Sequence, residues 1–320
     1  MHASRAPTLF RCALACVNKI GLLTQISPLI GALGKIDSRN FVISASASKL
    51  VTRTILRCAT NLHKTSHPAG TMAMIEELER TGNWLFRGRS YFPLLLYVLA
   101  AAVIGFDLDS YFQTFTLIPA LICIGISIFG QVIRALTIGY TPQGTSGRNT
   151  KAGQVAEKLN TRGMYSIVRH PLYLGNYFMW LGIMIYVGNA WFVILCSLMY
   201  WLYYERIMFA EEAFLRGKFG QAFMDWSFNV PSFWPRTLAW KLPDVVFSLR
   251  NVLKREYNGF FAIFVSFAAI SAAKHAVRGA DTWGEILVPF WQYTLLVTFS
   301  VFCILRSLKR YSRVLHVEGR

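Results

Sequence analysis

Hydrophobic residues in this chain gather in long uninterrupted runs instead of alternating or recurring every three to four positions. Residues 91–106, 111–133, 172–187, 190–204, 258–273 and 286–305 contain no Asp, Glu, Lys or Arg. A helix that crosses a bilayer needs about 20 apolar residues, within a range of about 17–25. The second and sixth runs meet that length alone, and the first and fifth meet it with their flanks. The third and fourth are short and join at Gly188-Asn189, as in a helical hairpin that need not cross fully. A buried helix of a soluble protein can imitate one such run but not six. The pattern predicts an all-α, polytopic membrane bundle of about six apolar helices, the third and fourth paired.

Composition agrees. Of 320 residues, 54% are hydrophobic and 15% charged, against about 25% charged in a soluble domain. The net charge of +17 has two sources, because residues 1–73 carry nine Lys/Arg and one acid, Asp37. A basic chain suggests nucleic acid or an anionic membrane; the apolar runs decide for the membrane and against nucleic acid. The acid-poor stretch 1–73 has either the composition of a transit peptide or that of residues upstream of a true start at Met72 or Met74. Either way, deleting it should leave activity intact. The rest divides into a core, 74–257, and a C-terminal two-helix segment with a basic tail, 258–320. None of the six cysteines forms a Cys-x-x-Cys pair, so neither a disulfide framework nor a metal site is indicated.

Basic residues flank the runs unevenly. Segment 134–171 carries six Lys/Arg and 205–257 carries eight, whereas the turn at 107–110 carries none. With the third and fourth runs paired, the heavily basic segments fall on one side, which the positive-inside rule makes cytoplasmic, together with both termini. These two segments also hold most of the polar chemistry.

The first constellation reads Gly163-Met-Tyr165-Ser-Ile-Val-Arg169-His170-Pro171-Leu-Tyr173-Leu-Gly175. Pro171 suits the first position of a helix, which sets Arg169 and His170 at a helix N-terminus, where carboxylate or phosphate binds. An interfacial anchor is the other reading. The second constellation is Glu211-Glu212-x-x-Leu215-x-x-x-Phe219-Gly220, followed by Val230-Pro231. Glu212 can pair with Arg216 four residues on. Glu211 has Ile207 and Leu215 at that spacing, and an unpaired acid beside a bilayer points to function.

Together the two constellations resemble the isoprenylcysteine carboxyl methyltransferase family of membrane methyltransferases. The resemblance covers about 111–236. It implies S-adenosylmethionine as methyl donor, bound on the cytosolic side by Leu159, Asn160, Tyr165, His170, Pro171, Tyr173 and Glu211. It implies that Glu211 takes the donor's ammonium and the helix start at His170-Pro171 its carboxylate. Arg169, from its place at the helix start, and Arg206 are the candidate catalytic cations. In the family an arginine shortly before the acidic pair engages the acceptor, and Arg206 lies one place from that position, where Ile207 stands.

Methyl transfer from a sulfonium is an in-line displacement in which positioning supplies much of the rate. An anionic oxygen needs no base, only cations to hold it, and Arg148, Arg162 and Arg206 are the substrate-binding candidates among many. Lipid headgroups are the alternative partners of each. The Gly-rich stretch 144–154 is either a phosphate cradle or a flexible loop. With Leu159-Asn160-Thr161 and Tyr203-Tyr204-Glu205-Arg206, it resembles the bacterial branch that methylates the 1-phosphate of lipid A, which would place the protein in a bacterial inner membrane. A phospholipid N-methyltransferase, a prenyl-cysteine carboxyl methyltransferase, an NADPH-dependent membrane reductase and a non-catalytic scaffold are the alternatives.

Overall fold

The computed structural model describes residues 74–88, 92–106, 116–142, 144–145, 148–150, 153–280 and 282–317. The expectations for residues 1–73 lie outside this range. Nine helices follow in chain order among the described residues: α1 Met74–Arg87, α2 Phe92–Gly105, α3 Leu117–Gly139, α4 Pro171–Val187, α5 Ala190–Phe219, α6 Gln221–Asn229, α7 Leu249–Val277, the short α8 Trp283–Ile286 and α9 Pro289–Tyr311. Between α3 and α4 lies one antiparallel hairpin, β1 Arg148–Thr150 and β2 Gly153–Val155. Within the Gly-rich stretch, residues 148–150 and 153–155 thus pair as two short strands. Helices α3, α5, α7 and α9 are long and apolar enough to cross a membrane, and α2 and α4 supply shorter apolar helices.

The ends of α4 and α5 follow from local chemistry. Pro171 starts α4, and Gly188, at φ +86°, ends it in the left-handed conformation that a side chain resists. Asn189 then caps α5 by accepting a hydrogen bond from the Phe192 amide. At 1.5 Å per residue, the 17 residues of α4 make a helix of about 26 Å and the 30 residues of α5 one of about 45 Å. The fourth apolar run is only the first half of α5. The helix continues past Tyr204 and carries Glu211 and Glu212 on an extension of the hairpin.

Close packing centres on α3 against α4. A Cβ added at Gly130 would collide with the Gly175 carbonyl oxygen and with the backbone of Met179, and one at Gly182 with the Cys123 carbonyl. Small residues let two helices approach where lipid supplies no hydrophobic drive between them. Helix α7 packs on the same pair through a buried polar network. The Arg134 Nε and Nη2 donate to the two Glu256 carboxylate oxygens at 2.8 and 2.7 Å, Nη1 donates to Asn176 Oδ1 at 2.7 Å, and Gln131 Nε2 donates to Glu256 at 2.9 Å. The described residues, from 74 to 317, form one compact unit. The boundary placed between 257 and 258 falls inside α7, whose Glu256 is tied to α3.

Candidate functional site

The site forms where the start of α4 meets the extension of α5. A 3₁₀ turn at Met164–Ser166 delivers the chain to His170, the N-cap of α4. The segment 230–248, which joins α6 to α7, straps this approach down. The Arg169 and His170 amides donate to the carbonyls of Pro231 and Ser232 at 2.8 and 3.0 Å. The Gly163 amide donates to Lys241 O at 3.0 Å, and Ser166 Oγ to Ala239 O at 3.0 Å. Gly163 sits at φ +61°, with Pro243 where a Cβ would crowd. This gives the Val-Pro motif a physical role, since Pro231 O takes the Arg169 amide and Val230 O its guanidinium. With the His170 amide held by Ser232 and Pro171 lacking an N–H, the helix start at His170-Pro171 does not offer a carboxylate the backbone donor expected from the resemblance.

The two glutamates then take different jobs. Arg169 grips Glu212 with Nε at 2.8 Å and Nη2 at 3.2 Å, while its Nη1 donates to Ser227 O and Val230 O at 2.6 and 2.8 Å. His170 Nε2 lies 2.9 Å from Glu212 Oε1. The expected pairing of Glu212 with Arg216 is not what forms. Arg216 is exposed, and a solvated i,i+4 pair is worth a few tenths of a kcal/mol, whereas the Arg169 fork is half-buried and already oriented by two carbonyls. Glu211 is not unpartnered either. It accepts from Tyr173 Oη at 3.1 Å and lies 3.5 Å from His170 Nδ1. Both acids line the same cleft and their side chains are equally exposed, but Glu211 has fewer protein partners than Glu212.

His170 is 6% exposed and sits between both carboxylates. Burial opposes its charge, but hydrogen bonds to Glu211 and Glu212 and their negative charge prevail and raise the imidazole pKa. In its charged form it donates to both acids. Tyr173 stacks on it, ring centroids 5.6 Å apart.

A narrow cleft lies over this cluster. Leu159, Asn160, Tyr165, His170 and Glu211 line it, so five of the seven residues assigned to the donor share one cavity. Of the other two, Pro171 begins α4 behind it and Tyr173 reaches it through Glu211. Arg169 lies at its wall with its guanidinium committed to protein partners. Arg206 is turned away: its Nη1 donates to Thr81 Oγ1 of α1 at 3.4 Å. Arg162 contacts Asp244 at 3.2 Å and Leu242 O at 3.4 Å. Arg148 stands in β1, whose neighbours Thr145 and Ala156 close one side of the cleft.

Sequence reasoning missed the apolar wall, made of Phe214 and Leu215 on α5 and Phe223 and Trp226 on α6. Phe214 and Leu215 lie three and four residues beyond Glu211 and so share its helix face, a signal present in the sequence. The placement of Trp226, whose Nε1 donates to Tyr165 O at 3.1 Å, depends on the turn at Gly220 and had no local signal. Among the described residues no cluster of His, Cys, Asp or Glu is arranged to hold a metal ion.

Comparison with known proteins falls on the same region. A family model for phospholipid methyltransferases matches residues 114–222. The chain is similar to a protein-S-isoprenylcysteine O-methyltransferase of Schizosaccharomyces pombe, 32% identical over 110 residues, 34% of this chain and 46% of that protein. A protein of the same description from Tribolium castaneum is 29% identical over 110 residues, 33% of this chain and 37% of that protein. The chain thus spans less than half the length of these relatives. No solved structure matches it.

Proposed function

We propose that this chain is an integral membrane methyltransferase that uses S-adenosylmethionine to methylate an anionic oxygen carried on a lipid. The observation that carries the reading is the acid pair: both glutamates line the cleft, Glu212 locked by Arg169 and His170, and Glu211 with fewer partners and so the more available carboxylate. The residues present suit the donor. Glu211 would receive its ammonium and the side-chain amide of Asn160 its carboxylate, while Phe223 and Trp226 would take the flat base. Bound there, the donor supplies a sulfonium-activated methyl group. The chain's task is to hold the acceptor oxygen in line with it and to exclude water, a task of positioning rather than of base catalysis.

The acceptor we favour is the carboxylate of a prenylated cysteine. Both relatives are named for that reaction. Part of the resemblance to the lipid A branch also points elsewhere in the fold, since Tyr203 Oη donates to Leu85 O and Arg206 to Thr81, both on α1. Methylation of the 1-phosphate of lipid A is the second reading, supported by the paired strands 148–150 and 153–155, beside which Thr145 and Ala156 line the cleft. The site opens on the side of the basic segments, which is the cytoplasmic one by the positive-inside rule.

The test is transfer of labelled methyl from S-adenosylmethionine by the purified chain in lipid nanodiscs, offered either farnesylated cysteine or lipid A. Label in the base-labile ester of farnesylcysteine is the expected result. Label in lipid A alone reverses the choice of acceptor, and label in neither, with NADPH consumed, would overturn the methyltransferase reading.

A further inference from the structure

The strap that holds the site together also displays an apolar surface. Between α6 and α7 the chain exposes Leu238 (80%), Leu242 (77%) and Val246 (84%), with Phe228 exposed at the end of α6 (90%). The strap ends, just past Val246, at the level where spanning helices end, because the Ser248 amide donates to Gly139 O at the last turn of α3 and α7 begins one residue later. Exposed leucines and valines in contact with bulk water are costly; at a bilayer boundary their burial is favourable.

Charge identifies what meets them. Arg236, Lys241 and Arg250 are exposed on the same stretch. Its single acid, Asp244, is already bridged by Lys158 at 3.6 Å and Arg162 at 3.2 Å. A groove of about 530 Å³, open to the outside, runs beside the strap and is lined by Trp201, Trp234, Arg236 and Arg169. Aromatic walls with a cation at the rim suit an acyl chain below an anionic headgroup.

The geometry points to the strap 228–249 as an interfacial surface for anionic phospholipids of the surrounding bilayer, through which lipid charge steadies the site. The link is covalently short. The strap's Pro231 and Ser232 carbonyls hold the Arg169 and His170 amides, and its Lys241 carbonyl holds Gly163. Lipid that fixes the strap therefore fixes the start of α4.

Two measurements on the full chain in nanodiscs test this without relying on methyl transfer. In the first, Leu238→Cys is labelled with an environment-sensitive fluorophore, with the parent chain labelled identically as background, and quenched by nitroxide lipids. Shallow nitroxides should quench it and aqueous iodide should not. Quenching by iodide, by deep nitroxides only, or relief on adding farnesylated cysteine would overturn the assignment, as would cross-linking to a second copy. In the second, hydrogen exchange of amides 165–175 is compared in phosphatidylcholine and in phosphatidylcholine with phosphatidylserine. Anionic lipid should slow it in the parent chain. Arg236→Gln with Lys241→Gln should weaken the phosphatidylserine preference by about fivefold per cation removed. Equal exchange in both lipids would overturn the coupling.

Discussion

At the scale of single residues, adjacent glutamates of the same chemical type are engaged unequally, and the proposed function makes Glu212 a support and Glu211 a ligand. Glu211→Gln keeps the shape of the site, and its amide oxygen still accepts from Tyr173, but the charge is lost. A hydrogen bond to a charged group is worth about 1.5–3 kcal/mol, so donor affinity should fall about 10- to 100-fold with folding almost intact, read by calorimetric titration. Glu212→Gln should act the other way, because it strands the Arg169 and His170 charges. It should lower thermal stability first and donor affinity only as a consequence. Equal effects of the two substitutions would mean that the division of labour is wrong.

His170 adds a pH signature. Its folded pKa is raised by the two carboxylates, so the stabilisation it brings is complete below the unfolded value of about 6.5 and is lost as pH rises through the folded value. Thermal unfolding in detergent should therefore show stability falling on the alkaline side of about pH 6.5. His170→Gln should flatten that slope, and an unchanged slope would assign it to another group. Sequence alone placed His170 at a helix start, through Pro171, but could not give it this role, because both partners lie about forty residues away on another helix.

At the scale of elements, hydropathy located the helices and failed where a helix leaves the membrane. Residues 205–219 are as helical as 190–204, yet their polar side chains end the apolar run, so the run reports bilayer contact rather than helix length. The hairpin of α4 and α5 was legible from Gly188-Asn189. The approach of α3 to α4 was not, since glycine contributes nothing to an apolar count. Gly130→Val tests that approach. Its Cβ would press on the Gly175 carbonyl and the Met179 amide, backbone atoms that cannot move aside. The variant should be recovered in much lower yield after detergent extraction. Gly125→Ala, on the same helix with nothing within 4 Å of the added carbon, should extract like the parent.

At the scale of the whole molecule, the question is what α7 contributes, since the family match ends at 222. The answer lies in Glu256, 6% exposed in its side chain, which receives three hydrogen bonds from Arg134 and Gln131 while Arg134 also holds Asn176 of α4. The network joins α3, α4 and α7 within two turns of His170, so the C-terminal helices help fix the helix whose first residues make the site. Desolvation makes such a pair nearly neutral overall, but removing one partner leaves a buried charge, at a cost of about 3–5 kcal/mol. Glu256→Leu alone should therefore destabilise the protein strongly, and Arg134→Leu alone comparably. The double variant Arg134→Leu with Glu256→Leu should recover much of the loss in a thermal unfolding series. It should still bind the donor less tightly than the parent, because Asn176 then has no partner holding α4 in place. If the double variant is as unstable as the sum of the singles, the two residues act independently. The joint between the matched core and α7 would then have to lie in apolar packing instead.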